Sequence, residues 1–113
     1  MSSVQIIFAP SAERELKKLT RVRQTEVILL LRKMRDGSDT LSIEKNKGHP
    51  SFFRIKGKDM RVIYHPLTGT RIVILVIQDR KEAYRGLNDL NSKLEAALHR
   101  IEEEATLSLR ARR

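Results

Sequence analysis

The chain has no cysteine and no tryptophan, and aromatic residues make up only 4% of it. Without cysteine there are no disulfides, no thiolate metal sites and no cysteine nucleophile. This fits a reducing cytoplasm, the location expected here. With so few aromatics, a core must rest on Leu, Ile and Val. The longest apolar runs, VILLL at 27–31 and IVILVI at 72–77, fall far short of the roughly 20 residues that a membrane helix requires. The opening MSSVQIIFAP carries neither the basic segment nor the long apolar stretch of a signal peptide, so a soluble protein with no membrane partner is expected. No carboxylate cluster offers a magnesium cage, and His49, His65 and His99 are widely spaced, so neither metal nor cofactor is expected.

What the chain does have is positive charge. It carries +9 over 113 residues, a length that suits one compact domain. Residues 1–86 hold 18 Lys and Arg against 9 Asp and Glu, whereas residues 87–113 hold 5 of each. The surplus therefore belongs to the body and not to a tail. A compact basic body suits a polyanion, because each cation seated on a phosphate gains from counterion release. The plainer possibility is that a basic domain is merely soluble and binds acidic proteins.

Residues 4–8 (VQIIF) read as a strand ended by Ala9-Pro10, and Pro10 suits the first turn of a helix. Ala12, Leu16 and Leu19 recur at helical spacing, with Thr20 as the expected close. Val27, Leu30, Leu31 and Met34 mark a second helix stopped by Gly37. Most of residues 36–51, rich in Gly, Ser, Asp, Asn and Lys, reads as a loop pinned by Leu41 and Ile43. Three strands follow, at 52–56, 60–65 and 71–78, joined by turns at Gly57-Lys58-Asp59 and Pro66–Gly69, an antiparallel meander with RIVILVIQ as its interior strand. The first strand is expected to pair with the middle of that sheet. Leu87, Leu90, Leu94, Ala97 and Ile101 then describe a long amphipathic helix, with Ser92 and Glu95 as a possible capping box. Its stripe either folds back on the sheet or forms a partner or dimer surface, and one stripe does not tell which. The expected fold is α+β: an antiparallel sheet of about four strands, an N-terminal helical hairpin on one face and a long C-terminal helix.

The chemistry concentrates in the meander. Alternation sends Arg54 and Lys56 out of one face, roughly 7 Å apart, with Arg61 on the neighbouring strand. Arg80 and Tyr84 follow where the interior strand ends, in QDRKEAYRGL, and Lys58 and Lys81 flank the set. Guanidinium groups hold phosphate oxygens and strengthen as charge grows in a transition state, while a lysine or phenol can move the proton. RNA brings its own nucleophile, the 2′-hydroxyl, so such a site needs no metal. Against this stands the fact that strands often carry Arg and Lys on a solvated face, and that Tyr64 and Tyr84 could be core or rim residues. The three histidines read more simply as surface residues.

The stretches FFRIKGKDMRVIYH and RIVILVIQDRKEAYR resemble the signature half of the RelE/ParE toxin family, and VQIIFAPSAERELKKL resembles its opening strand and helix. The resemblance covers roughly residues 4–86. It implies a RelE-like toxin domain at 1–86 with an amphipathic helical extension at 87–113. The protein would be the toxin of a type II toxin–antitoxin system, neutralised by a cognate antitoxin and cleaving messenger RNA in the ribosomal A site. The toxin–antitoxin hetero-oligomer would bind operator DNA through the antitoxin. By similarity, Arg54 and Lys56 occupy the family's lysine-rich strand positions. Arg61 and Arg80 would clamp the transition state, Lys56 and Tyr84 would be the acid–base candidates, and Lys58 and Lys81 would assist binding. Asp79 stands where many relatives have a histidine, and an acid there would temper the positive field. The ParE branch, which poisons DNA gyrase, and a catalytically silent module that only binds antitoxin are the alternatives.

Overall fold

A computed structural model of the chain describes residues 4–38, 40–46, 49–81 and 89–111. The elements run β1 (Gln5–Phe8), α1 (Pro10–Lys18), α2 (Arg21–Arg35), β2 (Ser42–Asn46), β3 (His49–Lys56), β4 (Met60–Thr68), β5 (Arg71–Asp79) and α3 (Leu90–Ala111). The strands form one five-stranded sheet in the order β1-β5-β4-β3-β2. The pairs β2–β3, β3–β4 and β4–β5 are antiparallel, and β1 joins β5 in parallel. β5 is thus interior, which explains why it is apolar on both faces and why Ile72 to Ile77 are all buried.

Local chemistry sets most element ends. Pro10 opens α1, where its missing N–H costs nothing. Gly37 takes φ +72° just beyond α2, where the Ser38 N–H donates to the Lys33 carbonyl at 2.9 Å and the Gly37 N–H to the Met34 carbonyl at 3.2 Å. This left-handed cap is one that a side-chain-bearing residue resists.

Four expectations need correction. The sheet has five strands, because part of the stretch read as a loop forms β2. SIEKN is short and has Ile43 as its one apolar residue, and residues 42–45 are exposed, so no apolar alternation signals a strand; pairing with β3 makes it one. Thr20 does not close α1: Leu19 is its C-cap, and the Thr20 hydroxyl accepts from the Arg23 N–H at 3.4 Å to cap α2. The first strand pairs with β5, the last strand of the meander, and not with its middle strand. Ser92 does not start the last helix, because α3 is already helical from Leu90.

α2 packs against β1 and β4, α1 runs along β5, and α3 rests on β5 and α1. Leu90 and Ala97 are buried there, and the Arg100 guanidinium meets the Glu13 carboxylate at 2.9 Å. The far half of α3 is different: Leu107 and Leu109 are exposed. The stripe of Leu90, Leu94 and Ala97 therefore folds back on the body, and Leu107 and Leu109 lie to either side of it. No helix among the described residues is long and apolar enough to cross a membrane.

Candidate nucleic-acid interface

Register decides which side chains share a face. Ile6 and Phe8 line a groove with Ile28 and Leu31 of α2, and pairing carries that face from Phe8 through Ile74 and Tyr64 to Phe53. Ile55 and Val62 lie two residues further along the same strands and so share it. Arg54, Lys56, Arg61 and Ile63 are therefore on the opposite face, turned from α2. Lys56 lies directly across from Arg61, and Arg54 from Ile63. The sequence-derived cation strip is thus brought together on adjacent strands.

Each of these cations has a partner. Glu44 of β2 stands across from Arg54 in register, and its two carboxylate oxygens are divided: Oε2 takes Arg54 Nη2 at 3.1 Å, and Oε1 takes Lys56 Nζ at 2.5 Å. Lys56 and Arg54 together hold the Glu44 carboxyl below its usual range. The Arg54 side chain is only 11% exposed, so it is a fixed part of the face and not a free arm. Arg61 Nη1 donates to the carbonyls of Gly57 at 2.7 Å and Met60 at 2.9 Å, which fixes the orientation of its guanidinium over its own turn.

That turn is itself held from α2. Glu26 Oε2 accepts from the backbone N–H of both Asp59 and Met60, each at 2.9 Å. Gly57 allows it: a Cβ there would lie 2.5 Å from that oxygen and 2.8 Å from Leu30 Cδ1. Arg23 Nη1 meets Asp59 at 2.6 Å, and its Nη2 lies 3.8 Å from Asp79. The Arg80 N–H donates to the Asp59 carbonyl at 2.7 Å, tying the end of β5, and with it Arg80, to the same turn. The Arg80 and Lys81 side chains are exposed beside it, as is Lys58 in the turn.

The Asp79 carboxylate is 3.8 Å from Arg23 Nη2, and its Oδ1 accepts from the Lys81 N–H at 3.0 Å, which gives it a structural role at the end of β5 as well. Tyr64 is buried and stacked on Phe53 with ring centroids 5.5 Å apart; burial raises its phenol pKa, so it belongs to the core. His65 Nδ1 lies 2.7 Å from the Ser51 carbonyl, and His99 is exposed beside Glu103. Tyr84 and the start of the expected extension at residue 87 lie outside the described residues, as does the side chain of His49. Among the described residues no group of three or more His, Cys, Asp or Glu could hold a metal ion.

Sequence reasoning missed Glu44, Glu26 and Arg23. Glu44 sat in the presumed loop, and the other two look like ordinary polar residues of an amphipathic helix. No local signal marks any of them, because their partners come from other elements.

A short parallel edge strand, a helical pair and an antiparallel meander with cations on one face define a small α+β fold. Two solved structures have it. The RelB–RelE antitoxin–toxin complex from Methanococcus jannaschii aligns at TM-score 0.59 and 20% identity, over 72% of this chain and 98% of that one. The toxin–antitoxin complex RelBE2 from Mycobacterium tuberculosis aligns at 0.57 and 20%, over 69% and 99%. The family model for the ParE toxin of the type II toxin–antitoxin system parDE matches residues 6–84, more than half of the chain. No curated protein matches at a significant level. The chain belongs to the RelE/ParE family and is a type II toxin.

Proposed function

We propose that this toxin is a metal-independent endoribonuclease that cleaves messenger RNA on the ribosome. The observation that carries the reading is the cation strip: Lys56 directly across from Arg61, with Arg54 beside them and Arg80 tied to the same turn. A pre-oriented guanidinium such as Arg61 loses little freedom in meeting a phosphate, which is what stabilising a transition state requires. In the proposed reaction the 2′-oxygen bonds to phosphorus as the bond from phosphorus to the 5′-oxygen breaks, leaving a cyclic phosphate and a free 5′-hydroxyl. Arg61 and Arg80 hold the non-bridging oxygens. Lys56 and Tyr84 divide the two proton transfers: one takes the 2′-hydroxyl proton and the other protonates the leaving oxygen. Arg54, Lys58 and Lys81 hold flanking phosphates.

A cognate antitoxin is part of this reading. Between β1 and α2 lies a cavity of about 440 Å³ with Ile6, Phe8, Leu16, Ile28 and Leu31 in its lining and Arg32 and Arg35 at its rim. An apolar floor with a basic rim suits an acidic amphipathic helix. Operator DNA would be reached through the antitoxin, and the compartment would be the cytoplasm. Residues 87–113 would act as an extension of the toxin domain.

A second reading, inhibition of DNA gyrase, is favoured by the matching family model, which is that of ParE. It is favoured as well by the engagement of Arg54 and Lys56 with Glu44. Primer extension on messenger RNA after brief induction separates the two, run beside Arg61→Ala, Arg80→Ala and Tyr84→Phe. Discrete cuts within translated frames that vanish in the variants support the ribonuclease. Intact messages in arrested cells sink it and point to gyrase.

A further inference from the structure

The carboxylate of Glu44 spans Arg54 and Lys56 with one oxygen on each, as the two non-bridging oxygens of a phosphodiester would. It reaches them from β2, an edge strand paired only with β3, and its own side chain is 44% exposed. Among the described residues, the neighbouring carboxylates are placed differently. Asp59 and Asp79 face Arg23, and Glu26 holds the turn through its backbone N–H groups. Glu44 alone among these touches the cation strip.

We propose that Glu44 is an internal anion that occupies the phosphate seat between Arg54 and Lys56 and must be displaced by a phosphate of the RNA. The proposal rests on the reading that this face binds RNA. The acid sets a threshold: a single phosphate must compete with a tethered carboxylate, whereas a strand already held at several other points displaces it readily. Glu44 therefore lowers affinity for stray RNA and leaves an oriented substrate less affected. It is a specificity residue that acts through its two cations, not a group that moves protons.

The test is binding of a fluorescent, fully 2′-O-methylated single-stranded RNA, which cannot be cleaved, to the full chain and three variants across a salt series. Glu44→Gln keeps the size and polarity of an exposed strand residue, and Glu44→Thr repeats the test with a better strand former. Both are expected to bind about threefold to tenfold tighter than the unaltered chain. The gain should be largest at low salt and shrink as salt rises, because it comes from one negative charge removed beside the strand, while the phosphates contacted stay the same. Arg54→Ala combined with Lys56→Ala is the control. If that double variant binds RNA as well as the unaltered chain, the reading of the face fails. If it binds more weakly while both Glu44 variants bind no tighter than the unaltered chain, the face stands, and the idea of a displaced internal anion is overturned in favour of an acid that merely positions its neighbours.

Discussion

The two turns of the β3–β4–β5 meander make a natural comparison. Both are short and both contain glycine, but their surroundings differ. The turn at Gly57–Asp59 is gripped from α2 by Glu26 and Arg23, closed by Arg61 and tied to Arg80. The turn at Gly69–Thr70 is exposed; the Thr70 N–H donates to the Thr68 hydroxyl at 3.3 Å, and a Cβ on Gly69 would meet nothing within 4 Å. Rigidity is therefore concentrated at the end of the sheet that carries Arg61 and Arg80. A site that holds a phosphate by oriented cations needs that rigidity, because any freedom left in the turn would be lost again on binding.

Gly57→Ala should have the largest effect. The new Cβ would drive Glu26 from its place, since 2.5 Å is too close for either group to stay. The side-chain ends of Glu26 and Leu30 can swing aside, but Glu26 then loses both backbone donors. We expect a loss of about 2–3 kcal/mol in urea unfolding. Glu26→Ala should cost slightly less, about 2 kcal/mol, because it leaves the same donors unpaired without forcing the chain apart. The double variant sharpens the argument: because both changes break one contact, their combined cost should fall short of the sum by about 1 kcal/mol or more. Full additivity would mean that the two residues act through separate contacts.

A smaller effect is expected at Glu15, whose Oε1 accepts from the Ile77 N–H at 3.1 Å. Burial raises its carboxyl pKa, so its protonated form favours folding below the usual carboxylate range, and that contribution is lost as pH rises through the raised value. Glu15→Gln keeps an acceptor for the N–H and removes the charge. Its Tm relative to the unaltered chain should rise from about pH 4 toward pH 7, and a difference independent of pH would contradict this. Gly69→Ala closes the series. It should change stability by less than about 1 kcal/mol, and in the stabilising direction, through a less flexible unfolded chain. A loss comparable with that at Gly57 would remove the distinction between the two turns.

Much of this protein was legible in its residues. The alternation in FFRIK and MRVIY placed Arg54 and Lys56 on one face and Arg61 across from them, because a strand's period of two is a local property. Gly37, Pro10 and the doubly apolar RIVILVIQ were legible for the same reason: each records a local backbone or burial requirement. β2 was not, since an exposed polar edge strand is defined by its neighbour's hydrogen bonds and not by its own side chains. The anions around the cations were not legible either. Glu26 meets Asp59 and Met60 from 33 and 34 residues away, and Glu44 was hidden in a presumed loop. Composition and periodicity by themselves determined a basic α+β domain with cations ranked along a sheet face. Which carboxylates would stand against them, how firmly each turn is held and how far the last helix folds back were decided only when distant elements packed, because those pairings depend on position in space and leave no trace in local spacing.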